Sequence, residues 1–505
     1  MLKSRRLGRI IVTSIFLCSD LGIPVADAQD SAAPVRIGDV AVSGSLRTRV
    51  ESWDWFQGAA RSDYTFPGSI LRISLSQSTT AYDWQLEMAV PFLLGLPSNA
   101  IAAAPQGQLG FGGSYFAANT NNTNAAMLFA KQGYVRFKEL GGVDGQSLKV
   151  GRMTFIDGAE ITPANATLAA LKRDRIAHRL LGDFSFSDVG RSFDGMQYAL
   201  NGSSLNFTFF GGRPTRGVFQ ADGWGELNIN VFYGAVTGQV HSTKSASEWR
   251  VFGLGYSDYR ENVLKTDNRS AALRRADSGH IDVGTYGGHF LHTVDTAAGT
   301  LDAMFWGALQ TGSLGNLAQR SGAFAAEAGW QPAVLQRIKP WIRGGYDYGS
   351  GDKNPNDGTH GTFFQILPTP RVYARFPFFN MMNNRDAFGE LVLRPSKRLT
   401  IRSDVHSLRL AQSNDLWYSG GGAYQPWTFG YTGRPSNGQS GLATLYDTSA
   451  DFSVNRHFPL ALTMAMPPEN SSFKRFIPPE RMRIWDTLRS PVNSDEAEPC
   501  RETPG

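Results

Sequence analysis

The sequence predicts an all-β protein, a transmembrane antiparallel barrel of about 18 strands with long loops at one end and short turns at the other. Three observations support this prediction. Apolar and polar residues alternate along many segments of about ten residues, as they do in barrel strands. The joins between these segments are alternately long and short. The chain also contains 55 glycines and 12% aromatic residues, a composition that suits strands and tight turns.

The amino terminus has the three regions of an export signal. Basic residues cluster between positions 3 and 9, residues 10–18 are apolar, and residues 26–28 have the small-x-small pattern of a cleavage site. The apolar run is shorter than the roughly 20 residues that a spanning helix requires. Leu17 is too bulky to precede a lipid-modified Cys18. We therefore expect a signal peptide over residues 1–28.

Charge and cysteine content exclude other classes. The two cysteines, at positions 18 and 500, leave the exported chain without an internal disulfide framework. The formal net charge of +5 comes mainly from arginines placed singly along strand-like segments. A nucleic-acid-binding protein would concentrate its charge in lysine blocks or a basic helix. We therefore expect no nucleic-acid partner.

The first predicted strand shows the alternation clearly. Leu46 and Val50 fall on one face, whereas Arg47, Arg49 and Glu51 fall on the other. A soluble sandwich could expose such arginines on one strand, but their repetition on several strands favours a water-filled lumen. Seventeen strands are recognisable, at residues 40–53, 68–77, 82–90, 132–138, 148–152, 193–200, 205–209, 227–236, 249–256, 281–290, 301–310, 323–330, 338–347, 387–394, 399–409, 442–455 and 460–466.

The carboxyl terminus departs from this pattern. A bacterial single-chain barrel normally has an even number of strands, which predicts a degenerate closing strand in addition to the 17. After Met466 the chain is rich in proline and charge, and residues 482–485 are only a weak substitute for a strand. The predicted organisation is a signal peptide (1–28), a barrel (29–466) and a disordered tail (467–505).

Several motifs occur in a characteristic order. They are GRM (151–153), RLLGDF (179–184), GRSFDG (190–195), YDYGSGD (346–352), NPNDG (354–358), GTFFQILPTP (361–370) and NDLWY (414–418). Together they resemble the alginate export family of Gram-negative outer-membrane proteins. The resemblance implies an 18-stranded barrel that exports alginate or a related uronate polymer. It also implies a periplasmic scaffold as partner, with the outer-membrane lipid around the barrel.

Inward-pointing arginines would concentrate anions in the lumen. Guanidinium groups pair with carboxylates and keep their protons, and interleaved acids would keep the binding of a polyuronate weak enough for release. For any single residue, the alternative is an ion pair that only stabilises the wall. The predicted lining consists of Arg47, Arg49, Arg72, Arg136, Lys149, Arg152, Arg179, Arg191, Arg343 and Arg402, with Glu51, Asp194 and Asp404 as acidic partners.

Three of these positions carry the family resemblance most directly: Arg152 in GRM, and Arg191 and Asp194 in GRSFDG. Lys149 and Arg152 differ in strand parity. Both can therefore face the lumen only if a bulge intervenes near Gly151.

No cofactor is expected. Asp352, Asn354 and Asn356 have part of the spacing of a calcium loop, but Gly358 comes one place late and no glutamate closes the loop. This spacing favours an oxygen-rich turn, with calcium as the alternative. The sequence has no zinc-protease, P-loop or nucleophile-elbow motif, so we expect no enzymatic activity.

Three functions therefore remain to be compared. The first is export of an anionic polysaccharide through an arginine-lined pore in the outer membrane. The second is uptake of small sugar acids or other anions by an anion-selective porin. The third is a barrel enzyme that acts on lipid or polymer.

Overall fold

The computed structural model describes residues 13–21, 35–54, 63–102, 107–261, 263–375, 379–455 and 458–466. The strands are β1 (Thr13–Leu21), β2 (Val35–Ile37), β3 (Val40–Asp54), β4 (Asp63–Ser78), β5 (Tyr82–Leu93), β6 (Ala125–Ala126), β7 (Phe129–Lys138), β8 (Gln146–Met153), β9 (Phe193–Asn201), β10 (Leu205–Pro214), β11 (Ile229–His241), β12 (Ser245–Asp258), β13 (Ile281–Thr296), β14 (Gly299–Leu314), β15 (Leu317–Pro332), β16 (Trp341–Gly349), β17 (Thr359–His360), β18 (Asn384–Ser396), β19 (Leu399–Leu410), β20 (Leu416–Ser419), β21 (Thr432–Pro435), β22 (Gly441–Asn455) and β23 (Phe458–Met466). The helices are α1 (Gly110–Ala118), α2 (Ala166–Leu171) and α3 (Ala271–Ala276), and a π-helical turn follows α2 at Lys172–Ile176.

Eighteen of these strands form one closed antiparallel barrel. Successive barrel strands pair with each other, and β1 closes the ring between β23 and β3. The other strands are short: β2 and β6 extend neighbouring pairs, β17 pairs in parallel with β15, and β20 and β21 form a separate hairpin. The predicted barrel is confirmed, and each of the 17 predicted strands coincides with an observed one.

The eighteenth strand comes from an unexpected part of the chain. Thr13–Leu21 pairs with β3 along its whole length, for example Ile15 with Val50, and with β23 through residues 14–17. This strand lies within the segment that the sequence predicts to be a cleaved signal. Residues 1–12, 22–34 and 467–505, which include the predicted tail and residues 482–485, lie outside the described residues. Cleavage after Ala28 therefore stays a prediction.

The two faces of the barrel strands differ as predicted. On β3, Val50 is 40% exposed on the outside, whereas Arg49 on the inside is 1% exposed. Large apolar side chains such as Ile73 and Phe207 are also exposed on the outer face. The outer surface is therefore suited to hydrocarbon and the inner surface to charge. In the described part of the chain, no helix has the length and apolarity to cross a membrane.

Two long connections contribute to the interior of the barrel. The first, residues 154–192 between β8 and β9, is called the inserted segment below; the second comprises residues 350–383 between β16 and β18. Within the inserted segment, Asn165 caps α2 by accepting a hydrogen bond from the backbone N–H of Leu168. Leu168 and Leu171 then pack in one buried cluster with wall residues that include Trp306. The lumen beside β11–β16 is therefore filled with protein.

A second apolar cluster covers part of the barrel at the end that carries the long loops. Phe111 of α1 stacks edge-on against Trp53 of β3 at a centroid distance of 4.8 Å. Tyr115 packs in the same way against Phe219, at 4.9 Å. Phe184 of the inserted segment belongs to this cluster too. Aromatic packing thus joins the inserted segment to the neighbouring loops and to the rim.

Candidate functional site in the charged interior

The inserted segment crosses the lumen and is held on the far wall by buried ion pairs. Arg175 donates from Nε to both carboxylate oxygens of Glu327 on β15, at 2.9 and 2.8 Å. Arg179 donates from Nη1 to Asp347 Oδ1 on β16, at 3.0 Å. Burial lowers the pKa of Arg179, but Asp347 and Glu327 outweigh this effect and raise its pKa above the ordinary value. Both arginines are therefore charged and paired with carboxylates of the wall.

Two predicted lining residues extend this network. Arg343 donates from Nη2 to Glu327 Oε2 at 2.9 Å and also bonds to Asp302. Arg402 pairs with Asp174 of the π-helical turn at 3.0 Å. Glu327 thus receives bonds from the wall and from the inserted segment. Such shared carboxylates make the network mutually dependent, because removing one partner leaves a buried charge without its counterion.

A second anchor lies on β12 and β13. Lys172 Nζ lies 2.8 Å from Glu248 Oε1, and His289 Nε2 lies 2.9 Å from the same oxygen. Arg250 bonds to Tyr233 and lies 3.6 Å from Glu160 Oε2 of the inserted segment. The predicted lining omitted all of these residues. The signal available in the sequence was that Glu248 and Arg250 are two residues apart, so that they share one face of a strand.

Hydrogen bonds within the inserted segment join its beginning to a later part of the same segment. Asp157 Oδ1 accepts hydrogen bonds from the backbone N–H groups of Leu180 and Leu181, at 3.0 and 2.8 Å. Burial raises the pKa of Asp157 to about 6, although Arg250 and these two donors oppose the shift. The segment is therefore a compact insertion that is fastened at both ends, and not an extended loop.

Arg47, Arg49 and Glu51 face inward, as predicted, but they are also paired. Arg47 donates to the carbonyl of Ser185 at 2.7 Å and to Asp188 Oδ1 at 3.1 Å. Arg49 donates from Nη1 to Glu51 Oε1 at 2.8 Å. Arg47 and Arg49, whose Nη2 lies 3.7 Å from Asp188 Oδ1, fasten the carboxyl-terminal part of the inserted segment to β3, and Glu51 pairs with Arg49. Charges predicted to face an open pore therefore hold the segment that narrows it.

Arg152 and Asp194 lie on the outer face of the barrel. Pairing across β7, β8 and β9 continues without a register shift, so Arg152 shares the face of exposed Val150, whereas Lys149 lies opposite. Gly151 has a φ of 125°, but it introduces no bulge. The bulge required for Arg152 and Lys149 to face the lumen together is therefore absent.

All five N–H groups of Arg152 have acceptors. Nε and Nη2 bind the two oxygens of Asp194 at 2.7 and 2.6 Å. The carbonyls of Ala130, Gly223 and Trp224 accept the remaining three hydrogen bonds, at 3.0 to 3.1 Å. Arg152 thus fastens the connection between β10 and β11 to the outside of the wall, and it has no donor left for a ligand.

Arg191 also donates to backbone carbonyls, but it lies inside the barrel. It is buried and donates to the carbonyls of Gly182, Leu367 and Gly422, at 2.7 to 2.8 Å. Burial lowers the pKa of Arg191 to about 10, so that it keeps its charge at neutral pH. The residue therefore joins three connections that are far apart in the sequence.

Three predicted cations remain accessible to water on β4, β7 and β8, where β5 lies between β4 and β7. Arg136 of β7 has a side chain that is 43% exposed and donates from Nε to Asp83 Oδ1 at 3.1 Å. Lys149 of β8 lies over the ring of Tyr134 at 4.7 Å. Arg72 of β4 is half-buried and makes no ion pair with any described residue. Arg136 and Lys149 lie near the short turn that joins β7 to β8.

The opposite wall carries acidic residues. Asp404 of β19 lies directly between Glu390 of β18 and Asp447 of β22 in the strand register. Arg402 offsets part of this negative charge, because Arg402 Nε lies 3.0 Å from Glu390 Oε1. The inner wall therefore carries both signs of charge, with water-accessible cations on β4, β7 and β8.

The segment considered for calcium forms a series of tight turns. Asp352 Oδ1 accepts from the N–H of Asn354, and Asn354 Oδ1 accepts from the N–H of Asn356, at 3.0 and 3.1 Å. These oxygens are used within the turn, as the sequence spacing favoured. Across the described ranges, no group of three or more His, Cys, Asp or Glu side chains is arranged to hold a metal ion.

Comparison with known proteins places this interior in context. The family model described as "Alginate export" matches residues 41–466. This chain belongs to the alginate export family. The resemblance carried by the sequence motifs is thereby confirmed. No curated protein sequence matches the chain.

Solved structures of outer-membrane β-barrel porins share the fold of this alginate export family member. Pseudomonas aeruginosa OccK9 (OpdG) is 10% identical with a TM-score of 0.50, and the match covers 90% of this chain and 98% of that one. Pseudomonas aeruginosa OccK8 (OprE) is also 10% identical, with a TM-score of 0.45, and the match covers 90% and 98%. The match to Pseudomonas putida OprB has 8% identity, a TM-score of 0.43 and coverage of 91% and 94%. Family and fold together place the protein in the Gram-negative outer membrane, where it forms a channel.

Proposed function

We propose that this channel exports an anionic polysaccharide, alginate or a related uronate polymer. The observation that carries the proposal is the group of water-accessible cations on β4, β7 and β8, Arg72, Arg136 and Lys149, called the cationic wall below. Arg136 and Lys149, near the turn joining β7 to β8, would attract uronate carboxylates from the periplasmic side, and Arg72 lies further along the wall. We further propose that a periplasmic scaffold delivers the polymer and that the channel catalyses no reaction.

Exchange of counterions would let the polymer advance. Arg136 is already paired with Asp83, so an arriving carboxylate replaces one partner with another of the same charge. The net gain is small because the paired and unpaired states differ little in electrostatic energy. Binding of this kind is strong enough to admit a polyanion and weak enough to release it, as conduction requires.

The inserted segment would set the width of the path. Arg175 and Arg179 are buried against Glu327 and Asp347, so a sugar ring cannot pass through that part of the lumen in this conformation. A polymer must pass along the cationic wall or displace the segment. In the second case, uronate carboxylates would substitute for the wall carboxylates as partners of the two arginines.

Planar-bilayer electrophysiology tests the proposal. The full chain should show a higher permeability for chloride than for potassium, and an added oligouronate should block the current in a concentration-dependent manner. A triple variant, Arg72→Ala with Arg136→Ala and Lys149→Ala, should lose most of both effects. Arg320→Ala is a matched control, because the side chain of Arg320 on β15 is exposed and makes no hydrogen bond or ion pair with a described residue.

Two outcomes would count against export of a polymer. A cation-selective channel whose current is unaffected by oligouronate would remove the basis of the proposal. A channel that passes monomeric sugar acids in liposome-swelling assays, without block by oligouronate, would indicate a porin for small anions instead.

A further inference from the structure

The outer face of the barrel contains a groove across β12–β15. Its volume is about 760 Å³. The floor is formed by Gly288 of β13 and Gly307 of β14, which are direct partners in the strand register. Neither glycine has a side chain to fill the space above the sheet, so the wall is indented at this point.

Bulky apolar side chains flank the floor on both sides. Phe290 and Phe305 are register partners on one side, and Tyr286 and Leu309 are partners on the other. Tyr286 is 60% exposed and Leu309 is 68% exposed, so both project well beyond the glycines. The two rows are four residues apart along the strands, which corresponds to about 14 Å at roughly 3.4 Å per residue. The flanking side chains take up much of this distance and leave a narrow channel.

The lining is apolar, and one end of the groove lies near the rim. Arg250 and His289, whose backbones line the groove, are buried and direct their side chains into the barrel. Trp249 lies at one end, near the short turn that precedes β12. Tyr348 and Ser350 lie at the other, where β16 passes into the long extracellular connection. A lipid entering from the outer leaflet would therefore have its polar part beside Ser350.

We propose that this groove binds one acyl chain of an outer-leaflet lipid. A slender hydrocarbon chain fits a narrow apolar channel, whereas Tyr286 and Leu309 would hold the backbone of a second barrel away from the glycine floor. Lipid and protein are equally apolar, so retention comes from dispersion contacts with the floor and both walls at once. The proposal is independent of what the channel transports.

Photolabelling in vesicles tests this site. The full chain is reconstituted into phosphatidylcholine vesicles that contain a trace of phosphatidylcholine with a diazirine on one acyl chain, and adducts are mapped by mass spectrometry. Labelling of β12–β15 should exceed that of the exposed outer face of β3–β5 several-fold. Gly307→Leu should reduce it several-fold, because the new side chain fills the groove.

Gly389→Leu is the matched control. A Cβ at Gly307 would meet the ring of Phe305 at 3.5 Å, and one at Gly389 would meet Val405 at 3.6 Å, both ordinary contacts. Gly389→Leu should leave the labelling of β12–β15 unchanged. Tyr286→Ala, which removes part of one wall, should weaken labelling without adding bulk to the sheet, so the test does not depend on the folding of Gly307→Leu alone.

Equal labelling around the whole belt would overturn the proposal, as would labelling of β12–β15 that Gly307→Leu and Tyr286→Ala leave unchanged. Protection of the groove in a dimer, detected by mass photometry in nanodiscs, would show that a second copy covers it instead.

Discussion

Arg179 of the inserted segment donates a hydrogen bond from Nη1 to Asp347 Oδ1 on β16, at 3.0 Å, and both side chains are buried. The two residues are 168 positions apart, so the bond ties a connection between two strands to another part of the barrel. Because this pair and the neighbouring pair of Arg175 with Glu327 exclude water from that part of the lumen, their strength sets how readily the segment can move.

The first prediction concerns this anchor. Replacing Arg175 and Arg179 together by alanine should raise the single-channel conductance, because Asp347 would be left as a buried charge without its counterions. Breaking a buried pair on one side costs about 3–5 kcal/mol, which favours displacement of the segment. Conductance in planar bilayers measures the change, with Arg320→Ala as control. A double variant with the conductance of the parent protein would show that the segment does not limit flow.

The second prediction separates a structural arginine from the cationic wall. Arg152→Ala should lower the temperature at which the barrel unfolds, since Asp194 and three carbonyls would lose their donor. It should leave the ratio of anion to cation permeability unchanged, because Arg152 lies on the outer face. Heat-modified mobility on gels reports the first effect and reversal potentials report the second. A clear loss of anion selectivity would contradict this placement.

The third prediction concerns processing of the amino terminus. Intact-mass measurement of the protein from outer membranes should show a chain that begins at Gln29, because residues 1–28 have the pattern of a cleaved signal. A mature chain that retained Thr13–Leu21 would instead show that this segment is a permanent barrel strand.

Cleavage has a consequence that hydrogen exchange can detect. Removing β1 leaves the edges of β3 and β23 without their partner, and each unpaired backbone group in hydrocarbon costs several kcal/mol. We therefore expect another strand to take its place in the mature barrel, with slow exchange across residues 44–52. Fast exchange there would indicate an open seam.

The fourth prediction follows from Asp415, in the connection between β19 and β22. Its carboxyl group accepts hydrogen bonds from the N–H of Asp352 and the hydroxyls of Thr362 and Tyr418, at 2.6 to 2.9 Å. Burial raises the pKa of Asp415 to about 6, although these donors oppose the shift.

A carboxyl with a raised pKa binds its proton more tightly in the folded state. The stabilisation is therefore full at low pH and is lost as the pH rises from about 4 through about 6. The opening constant of this connection should rise about tenfold between pH 5 and pH 7 by this linkage. Hydrogen exchange corrected for intrinsic rates measures it. Asp415→Asn should abolish the pH dependence, and an unchanged dependence in that variant would assign it to another group.

Much of the architecture could be predicted from local pattern. Leu46 and Arg47 could be assigned to opposite faces because side chains alternate along any strand, and the same rule located all 17 predicted strands. Alternation alone could not predict which face of the barrel Arg152 occupies. Its face depends on whether a bulge interrupts β8, and local sequence near Gly151 is compatible with either register.

The partners of the charged residues were beyond sequence reasoning. Arg191 donates to carbonyls of residues 367 and 422, and a backbone carbonyl has no signature in the sequence. Glu248 was missed because its strand was recognised only from Trp249 onward, whereas Arg250 lay within that predicted strand and was not assigned to the lining, although both residues face the inserted segment.

The sequence by itself determined that this chain forms an antiparallel barrel with a charged interior, because a two-residue period and alternating loop lengths are local properties of the chain. Only the tertiary structure decided which of those charges face water and which form the ion pairs that hold the inserted segment. The physical reason is that an ion pair depends on the distance between two side chains, and in a closed barrel that distance is set by strand register and loop insertion rather than by separation in sequence.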